Sequence, residues 1–404
     1  MHETELNERL NKLALKAVNK KSKFGEDVDL GRYKEEGENL KKAEVSKADR
    51  KKLSDVGVQE KSRSGSYLQF DSSVLEERQL QRGIEIMSIS RALKKYGWLK
   101  DYWWKAVAVD QDKFTAYSQL HRPMGYFIRA LPHAKSEFPV QACLYIKKKG
   151  TVQSVHNLII AEEGSKLDVI TGCAVGEGTK DALHIGISEF FVKKNATISF
   201  TMIHSWGENV IVRPRSAAIV EENGTFLSNY INMRKSGSTQ MYPTSYCVGK
   251  NSTVRYNTIL VAPEGSNIDV GSRTVLKAEG SKTEMISRVI STGGNAYVRG
   301  DIDGQAKNVR GHLECRGLIL GDKGFVYSVP ELRAGLKDLD LSHEAAIGKI
   351  AEEEIFYLMT KGLSEEEATA VIVRGFLNVD IRGLPPLLDK EIKRTIETSL
   401  SSML

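Results

Sequence analysis

The sequence predicts a mainly β protein built as a β-helix, with helical segments covering both ends of the stack. Three observations predict it. Through residues 150–329 a Gly or Asn in a polar turn returns at a nearly constant step. Gly150, Gly164, Gly178, Asn195, Gly207, Gly224, Gly237, Asn251, Gly265, Gly280, Gly294 and Asn308 lie mostly 13 to 15 residues apart. Fixed-period recurrence marks a repeat architecture. Between the turns run short stretches rich in Val, Ile, Thr, Phe and Tyr, such as 167–171, 197–203, 253–262 and 296–299. These read as strands, and Gly or Asn supplies the positive φ that a tight corner needs. Outside this stretch the pattern changes to helical periodicity with start and stop signals.

A two-layer antiparallel sandwich is the competing architecture. It turns about every 8–12 residues and favours Asn-Gly hairpins. Here the step is longer, and Asn223-Gly224 is the only Asn-Gly pair. Two steps make about 28 residues, the length of one flattened coil with a turn at each end. No coil buries its apolar face alone, so both ends need covering, and the flanks supply it.

Length and composition set the bounds. With 404 residues and 41% hydrophobic content, the chain can fill a sizeable core in two or three domains. No apolar run approaches the roughly 20 residues that cross a bilayer. The opening MHETELNERLNKL is charged in both signs and lacks the apolar core of a secretory signal. A cytoplasmic protein without a membrane partner is expected. Cys143, Cys173, Cys247 and Cys315 include no CxxC pair, so they read as thiols rather than a disulfide framework or a local zinc site. The net charge of +6 is unevenly spread: residues 338–404 carry 13 acidic and 7 basic side chains. No basic motif is interleaved with aromatics, so nucleic acid is not an expected partner. The acidic C-terminal segment suits a basic surface on a protein.

Taken in order, residues 4–23 place Leu6, Leu10, Leu13 and Val18 among charges at the spacing of a surface helix. Residues 26–66 are polar and glycine-punctuated, and read as a mobile or partner-dependent arm. Ser72 and Ser73 can cap a helix from Val74, with Glu76 and Glu77 in its first turn. Ile89, Leu93 and Tyr96 mark another helix, leading to Trp98 and the cluster Tyr102-Trp103-Trp104, read as a domain-packing plug. GYFIRA and VQACLYI, set among Pro123, Pro132 and Pro139, suit the first coil of a stack. Pro330 ends the strand pattern. Ser342 then N-caps the helical segment HEAAIGKIAEEEIFYLMTKG, stopped at Gly362. Ser364 and Glu367 form a capping box for EEEATAVIVRGF, closed by Gly375. Leu388, Ile392, Ile396 and Leu400 mark a last amphipathic helix. The division expected is an N-terminal helical region with a flexible arm over 1–110, a β-helix core over 111–330 and a C-terminal helical domain over 331–404.

The run LSHEAAIGKIAEEEIFYLMTKGLSEEEATAVIVRGF resembles the hallmark segment of the SufB/SufD proteins, scaffold subunits of the Suf iron–sulfur assembly machinery. LDVITGCAVGEGTKDALHIGISEFFVKKNATISFTMIHSW is similar to the family's first cysteine-bearing coils. GHLECRGLILGDKGFVYSVPEL resembles its last coil, and GYFIRALPHAKSEFPVQACLYI the entry to the repeats. Together the resemblance covers about residues 85–380. It implies a right-handed parallel β-helix between N-terminal and C-terminal helical parts.

The resemblance also implies a chemistry, position by position. Cys173, in ITGCAV, matches the cysteine that accepts sulfur from a donor protein. Cys315 matches the cysteine that ligates or builds the nascent cluster at a subunit interface. His343 and Glu344 match the histidine and glutamate that face that cysteine across the interface. SufD-type chains lack the equivalent of Cys315 and carry the histidine without the glutamate, so this chain looks most like SufB. Its N-terminal region is shorter than in many bacterial SufB chains and lacks a cysteine motif often found there. With both half-sites in one chain, a homodimer is expected rather than a pair with a SufD-like chain. Thiolate, imidazole and carboxylate are a sound ligand set for iron. No GxxxxGK[ST] P-loop occurs. The chain is therefore expected to be an assembly scaffold and not an enzyme, with a SufC-like ABC-type ATPase on its C-terminal helices. ATP-driven closure of two such ATPases would strain the dimer interface and expose Cys315 and His343. The nascent iron–sulfur cluster is the cargo; its type, the sulfur donor and the use of reduced flavin stay open.

Each residue also has a plainer explanation. Buried cysteine is ordinary core filling, the reading kept for Cys143 and Cys247, although Cys143 and Cys173 lie about one coil apart and could stack. His343 and Glu344 could be plain first-turn residues. His184, His204, Trp206 and His312 default to satisfied strand residues. His184 or Trp206 lining a sulfur path is the sharper alternative, since persulfide transfer needs an accessible thiolate and polar groups near it. A carbohydrate-active β-helix would use acids such as Asp301 and Asp303 near Arg299 and Lys307. A structural interaction protein with core cysteines is the third reading.

Overall fold

Side chains that alternate in and out along short strands let two facing sheets share one interior, and the repeat length decides how the strands stack. The computed structural model describes residues 3–35, 45–58, 62–176, 178–179, 181–377 and 390. Among them, twelve strands form one sheet: β1 (Lys34–Glu35), β4 (Ile84–Ser88), β5 (Tyr126–Ala130), β7 (Thr151–Ala161), β9 (Ala182–Val192), β11 (Val210–Val212), β12 (Arg215–Val220), β14 (Ser238–Met241), β15 (Thr244–Cys247), β17 (Asn267–Leu276), β19 (Asn295–Gly304) and β21 (Phe325–Ala334). Ten form the facing sheet: β2 (Gly65–Phe70), β3 (Ser73–Gln79), β6 (Val140–Ile146), β8 (Lys166–Val175), β10 (Thr197–Ser205), β13 (Thr225–Asn232), β16 (Thr253–Pro263), β18 (Lys282–Thr292), β20 (Val309–Ile319) and β22 (Leu339–Gly348). Only β2–β3 and β4–β5 pair antiparallel; the other strand pairs are parallel. The result is a parallel β-solenoid of about 8 turns. Phe190, Phe200, Phe226, Met285 and Leu313 are among the residues that fill its interior.

Register is written into one corner. Gly164, Asn195, Asn223, Asn251, Gly280 and Asn308 all have positive φ. Each donates its N–H to a carbonyl one coil on, at Lys194, Glu222, Lys250, Glu279, Lys307 and Asp338 respectively. The residues just before these corners therefore stack as Glu163, Lys194, Glu222, Lys250, Glu279, Lys307 and Asp338, alternating in sign along the axis. Lys194–Glu222 and Lys250–Glu279 close at 3.2 and 3.3 Å. A slip by one coil would set like charges together. Some expected turn glycines miss by one residue: Asn223 and Gly293, not Gly224 and Gly294, hold the positive φ, and Gly207 and Gly237 do not hold one.

The helices cover faces of the stack. α1 (Glu3–Ala17) lies against α4 (Lys113–Leu120). With the short α3 (Ile89–Lys95) and the aromatic segment after it, they form one apolar cluster with Leu183, Ile185 and Ile187 of β9. Trp103 and Trp104 pack here on His156, with ring centroids 3.7 and 4.3 Å away, so the aromatic segment is a packing plug. On the other sheet's outer face, α2 (Lys47–Asp55) contributes Leu53 to a cluster that also holds Val56, Cys143, Ile170, Ile290 and Leu318. α6 (Glu365–Leu377) adds Val373 and Leu377 to the same cluster, and α5 (Glu352–Met359) precedes it. Among the described residues no helix is long and apolar enough to cross a membrane.

Several expectations need correction. The helix expected from Val74 is strand β3, because Asp71 takes positive φ and turns residues 73–79 back onto β2 as a hairpin. Its pairing overrides a local capping signal. Ser342 does not cap a helix: residues 339–348 are β22, paired with β20, and helix begins only at Glu352. Pro330 does not end the strands either. It sits within β21, which pairs on one side only, with β19, so the missing N–H costs no ladder bond on the open edge. Strands thus reach back to Lys34 and on to Gly348, past the expected core limits of 111 and 330. Part of the expected mobile arm is built: Ser46 and Asp49 form a capping box for α2. The Ser364–Glu367 box is present, with bonds of 2.8 and 3.1 Å, but Gly375 lies inside α6 rather than closing it. The last amphipathic helix expected from Leu388 falls outside the described residues.

Candidate functional site

In a parallel ladder, register partners point the same way, so the pairing defines columns of side chains along the axis. One inward column of the ten-stranded sheet reads Thr171, Met202, Tyr230, Thr258, Ser287, Cys315 and Ala345. The next, two residues further along each strand, reads Cys173, His204, Asn232, Leu260, Val289, Gly317 and Ile347. Cys173 and Cys315 therefore face one interior from adjacent columns. Five coils separate them, about 24 Å at the usual strand spacing.

At the far end, Cys315 is buried with Tyr230, Val289, Val298 and Val326. Burial raises its thiol pKa, while the Ser328 hydroxyl and the Arg288 charge pull the other way. His343 pairs with Leu313, and Ala345 with Cys315. The imidazole thus shares the inward face with the thiol, one strand and two residues away, about 8 Å between Cα atoms from strand spacing and rise. His343 Nε2 is buried without a hydrogen-bond partner. Glu344 pairs with Glu314 and points to the outer face. There Glu314 is held by Arg288 at 2.8 Å and Arg316 at 2.7 Å, and His312 Nδ1 lies 2.8 Å from Ser342 Oγ. The structure therefore brings Cys315 and His343 together and sets Glu344 apart from them within one chain. His343 lies on the last coil and Cys315 on the one before it: β21 and β22 are both terminal strands, and Tyr327, Leu332 and Ile347 are exposed there.

At the near end, Cys173 is buried and its thiol pKa is driven up by that burial. His204 stands beside it in register. The Trp206 ring lies 5.2 Å from His204 and 4.9 Å from His184. His184 Nδ1 is 3.1 Å from Gln153 Oε1, and His204 Nδ1 is 3.2 Å from the Tyr230 hydroxyl. Burial pushes His184 down to about 3 and His204 well below the ordinary histidine range, so both rings are neutral. His204 Nε2 and Trp206 Nε1 have no hydrogen-bond partner. Between the two thiols an interior void of about 30 Å³ is lined by Met202, Ser228, Tyr230, Met241 and Tyr256, among others. Sequence reasoning missed Tyr230, Thr258 and Ser287. Counting back from Cys315 by coil length would have found them.

Cys143 does not stack on Cys173. Its register partner is Gly172, so it points to the outer face, where α2 and its neighbours cover it. Cys247 is core. Asp301 and Asp303 lie on an outer face and are already neutralised, Asp301 by Arg273 at 3.2 Å and Arg333 at 2.5 Å, Asp303 by Arg273 at 3.1 Å. For flavin, the surface hollow of about 670 Å³ beside Trp98, Tyr102 and Phe191 offers aromatics. Of its three cations, Arg129 and Lys193 are paired to Glu162 and Glu221, and Lys105 alone, with the carboxylates of Asp101, Glu162 and Glu221 lining the same hollow, does not fit a pyrophosphate.

The chain is also similar to known proteins. Residues 144–376 match the family model described as "SUF system FeS cluster assembly, SufBD core domain". An iron–sulfur cluster assembly SufBD family protein of Methanothermobacter thermautotrophicus (strain Delta H) is 48% identical over 404 residues, 97% of this chain and 98% of the relative. One from Archaeoglobus fulgidus is 52% identical over 358 residues, 88% of this chain and 96% of the relative. One from Staphylococcus haemolyticus is 30% identical, covering 86% of this chain and 76% of the relative.

Proposed function

The chain belongs to the SufBD family of iron–sulfur cluster assembly proteins, and from that premise we propose that it is a cytoplasmic, SufB-like scaffold that accepts sulfur at Cys173 and builds a nascent cluster at Cys315 and His343. The observation that carries the reading is the shared inward face of Cys315 and His343 on the last two coils, at the open end of the stack. A soft thiolate and a borderline imidazole are donors suited to iron. The orphaned Nε2 of His343 is a buried polar atom in want of a partner, which a metal ion would supply. Sulfur taken up at Cys173 has an interior route along polar side chains of the same sheet: His204, Tyr230, Thr258 and Ser287.

A second copy of the chain completes the site. Two unpaired strand edges and exposed Tyr327, Leu332 and Ile347 at the terminal coil are a surface that needs covering. Homodimerisation there brings two Cys315–His343 pairs together and lets Glu344 of one copy approach the thiol of the other. A SufC-like ATPase is assigned to α5 and α6, where Phe356 and Tyr357 are 69% and 62% exposed. Its ATP cycle would open and close the interface.

Anaerobic reconstitution tests the reading. With iron and inorganic sulfide, the wild type should gain visible absorption that Cys315→Ser and His343→Ala lose. Cys173→Ser should keep it with sulfide but lose it when sulfur comes from a persulfide donor. Wild-type absorption in Cys315→Ser refutes the assignment.

A further inference from the structure

The interior polar groups around Cys173 have acid–base chemistry that the scaffold reading does not assign. Cys173 and His204 are register partners on adjacent parallel strands, both inward and both buried. Their backbones are about 4.8 Å apart. His204 Nδ1 is engaged at the Tyr230 hydroxyl, 3.2 Å away, which leaves Nε2 as the nitrogen without a partner. Trp206 Nε1, from the same strand segment, is also buried and unpartnered, and it can only donate. Two unpartnered nitrogens grouped with one thiol would be satisfied by a small polar group that accepts one hydrogen bond and gives or accepts another. A terminal –S–S–H group on Cys173 has those properties.

We propose that His204 is the acid–base residue of sulfur uptake at Cys173, with Trp206 Nε1–H holding the transferred sulfur. This rests on the assignment of Cys173 as the sulfur acceptor. The step balances without an external redox partner. As Cys173 Sγ attacks the outer sulfur of a donor persulfide R–S–S–H, its proton passes to His204 Nε2. The S–S bond of the donor breaks, its electron pair leaves on R–S⁻, and His204 returns the proton to give R–S–H. The products are Cys173–S–S–H and R–S–H. A base is required because burial holds the Cys173 thiol protonated far above neutral pH. His204 has its Nε2 lone pair free to take the proton because burial keeps the ring unprotonated, and as a weak base it holds that proton only until R–S⁻ takes it. The titratable groups facing His204 are Cys173 from β8, Tyr230 from β13 and His184 from β9. Among the described residues, no carboxylate, lysine or arginine points inward from these strands, so no fixed charge offsets the burial that keeps the ring neutral.

The test uses the full chain and an inorganic polysulfide as sulfur source. Peptide mass mapping reads the 32-dalton gain at Cys173, with Cys143 in the same digest reporting any loosening of the fold. In the wild type, Cys173 should gain sulfur at a rate that levels off with rising pH. His204→Gln keeps a polar group of similar reach but cannot carry the proton. It should slow uptake about 100-fold at pH 7, with the rate then climbing tenfold per pH unit and Cys143 no more reactive than before. His204→Gln matching the wild-type rate and profile overturns the role of His204 and leaves Cys173 as acceptor. A wild type in which Cys173 gains no sulfur overturns both.

Discussion

Glu189→Gln should release the N-terminal plug from the solenoid. Glu189 is fully buried on the outer face of β9, and its two oxygens collect four donors. Oε1 takes the N–H of Trp104 at 2.7 Å and faces His156 Nε2 at 2.8 Å. Oε2 takes the N–H of Ala106 at 2.6 Å and of Val107 at 3.1 Å. Trp104 has positive φ, so the backbone there is held in a conformation that non-glycine residues disfavour, and the carboxylate helps hold it. Glutamine has the same shape but one acceptor oxygen. Turned with its oxygen toward Ala106 and Val107, the amide sets its NH₂ against the Trp104 N–H and against His156 Nε2, which must move its proton to Nδ1 to accept from it, so both charge-assisted contacts on that side are lost. Hydrogen bonds to a charged group are worth about 1.5–3 kcal/mol each, so losing two costs about 4 kcal/mol. With an unfolding entropy of about 2.1 cal/mol/K per residue, the 404 residues convert that loss to a fall of about 5 °C in Tm if the chain melts as one unit. Thermal melts read the shift. Tryptophan emission reads the place, because Trp103 stacks on His156 and Trp104 meets the same ring edge-on, and both should move red as water enters. A Tm within 1 °C of the wild type and unchanged emission would refute the argument.

Three further outcomes follow from buried or patterned charge. Burial raises Asp168 to about 6, so its folded carboxyl binds a proton more tightly than the unfolded chain does and its charge destabilises above that pH. Asp168→Asn should stabilise by about 2–3 kcal/mol at pH 8 and by almost nothing at pH 4, as read from urea midpoints. His184, depressed to about 3, works in the opposite direction. Its contribution is complete above the unfolded value of about 6.5 and is lost as pH falls below it, by about 1.4 kcal/mol per unit; His184→Gln should flatten the midpoint between pH 6.5 and 4.5. Glu222→Lys places three lysines in a row at the corner, with Lys194 and Lys250 as neighbours. It should cost about 1 kcal/mol at low salt and recover in 0.5 M NaCl, and no salt dependence would count against the ladder.

How much of this was legible depends on the distance over which each signal acts. The 28-residue coil was readable because a corner residue and its stacking partner obey the same local rule, positive φ, at every turn. The Ser364–Glu367 box was readable because both partners lie within one helical turn. The hairpin at residues 65–79 and the strand at 339–348 were not. In each, a serine before acidic residues gives a genuine helix-start pattern, and a partner strand overrules it. For β22 that partner, β20, lies 30 residues away: Leu313 opposite His343. Local propensities of a few tenths of a kcal/mol per residue do not outweigh ten ladder positions. The positions of Cys173 and Cys315 in chain order say nothing of a shared interior; that follows only once the register is known.

Register parity also bears on how many chains the proposed cluster site needs. His343 and Glu344 are consecutive on one strand, and consecutive strand residues point to opposite faces. His343 shares the inward face with Cys315, so Glu344 cannot share it while β22 keeps its pairing with β20. A site that uses thiolate, imidazole and carboxylate together must then draw the carboxylate from another strand. Beyond β22 the described chain offers no further strand, and both terminal edges are open. A second copy is the source that supplies an identical Glu344 on an outward face at such an edge, so the parity of a single strand argues for a site shared between two chains. In that arrangement Glu344→Ala and Cys315→Ser single variants, each inactive alone, should regain about a quarter of wild-type reconstitution when co-expressed, since half of a statistical mixture is mixed dimer and each mixed dimer keeps one of two half-sites whole. No recovery in mixed dimers of verified composition would place the carboxylate outside the cluster site.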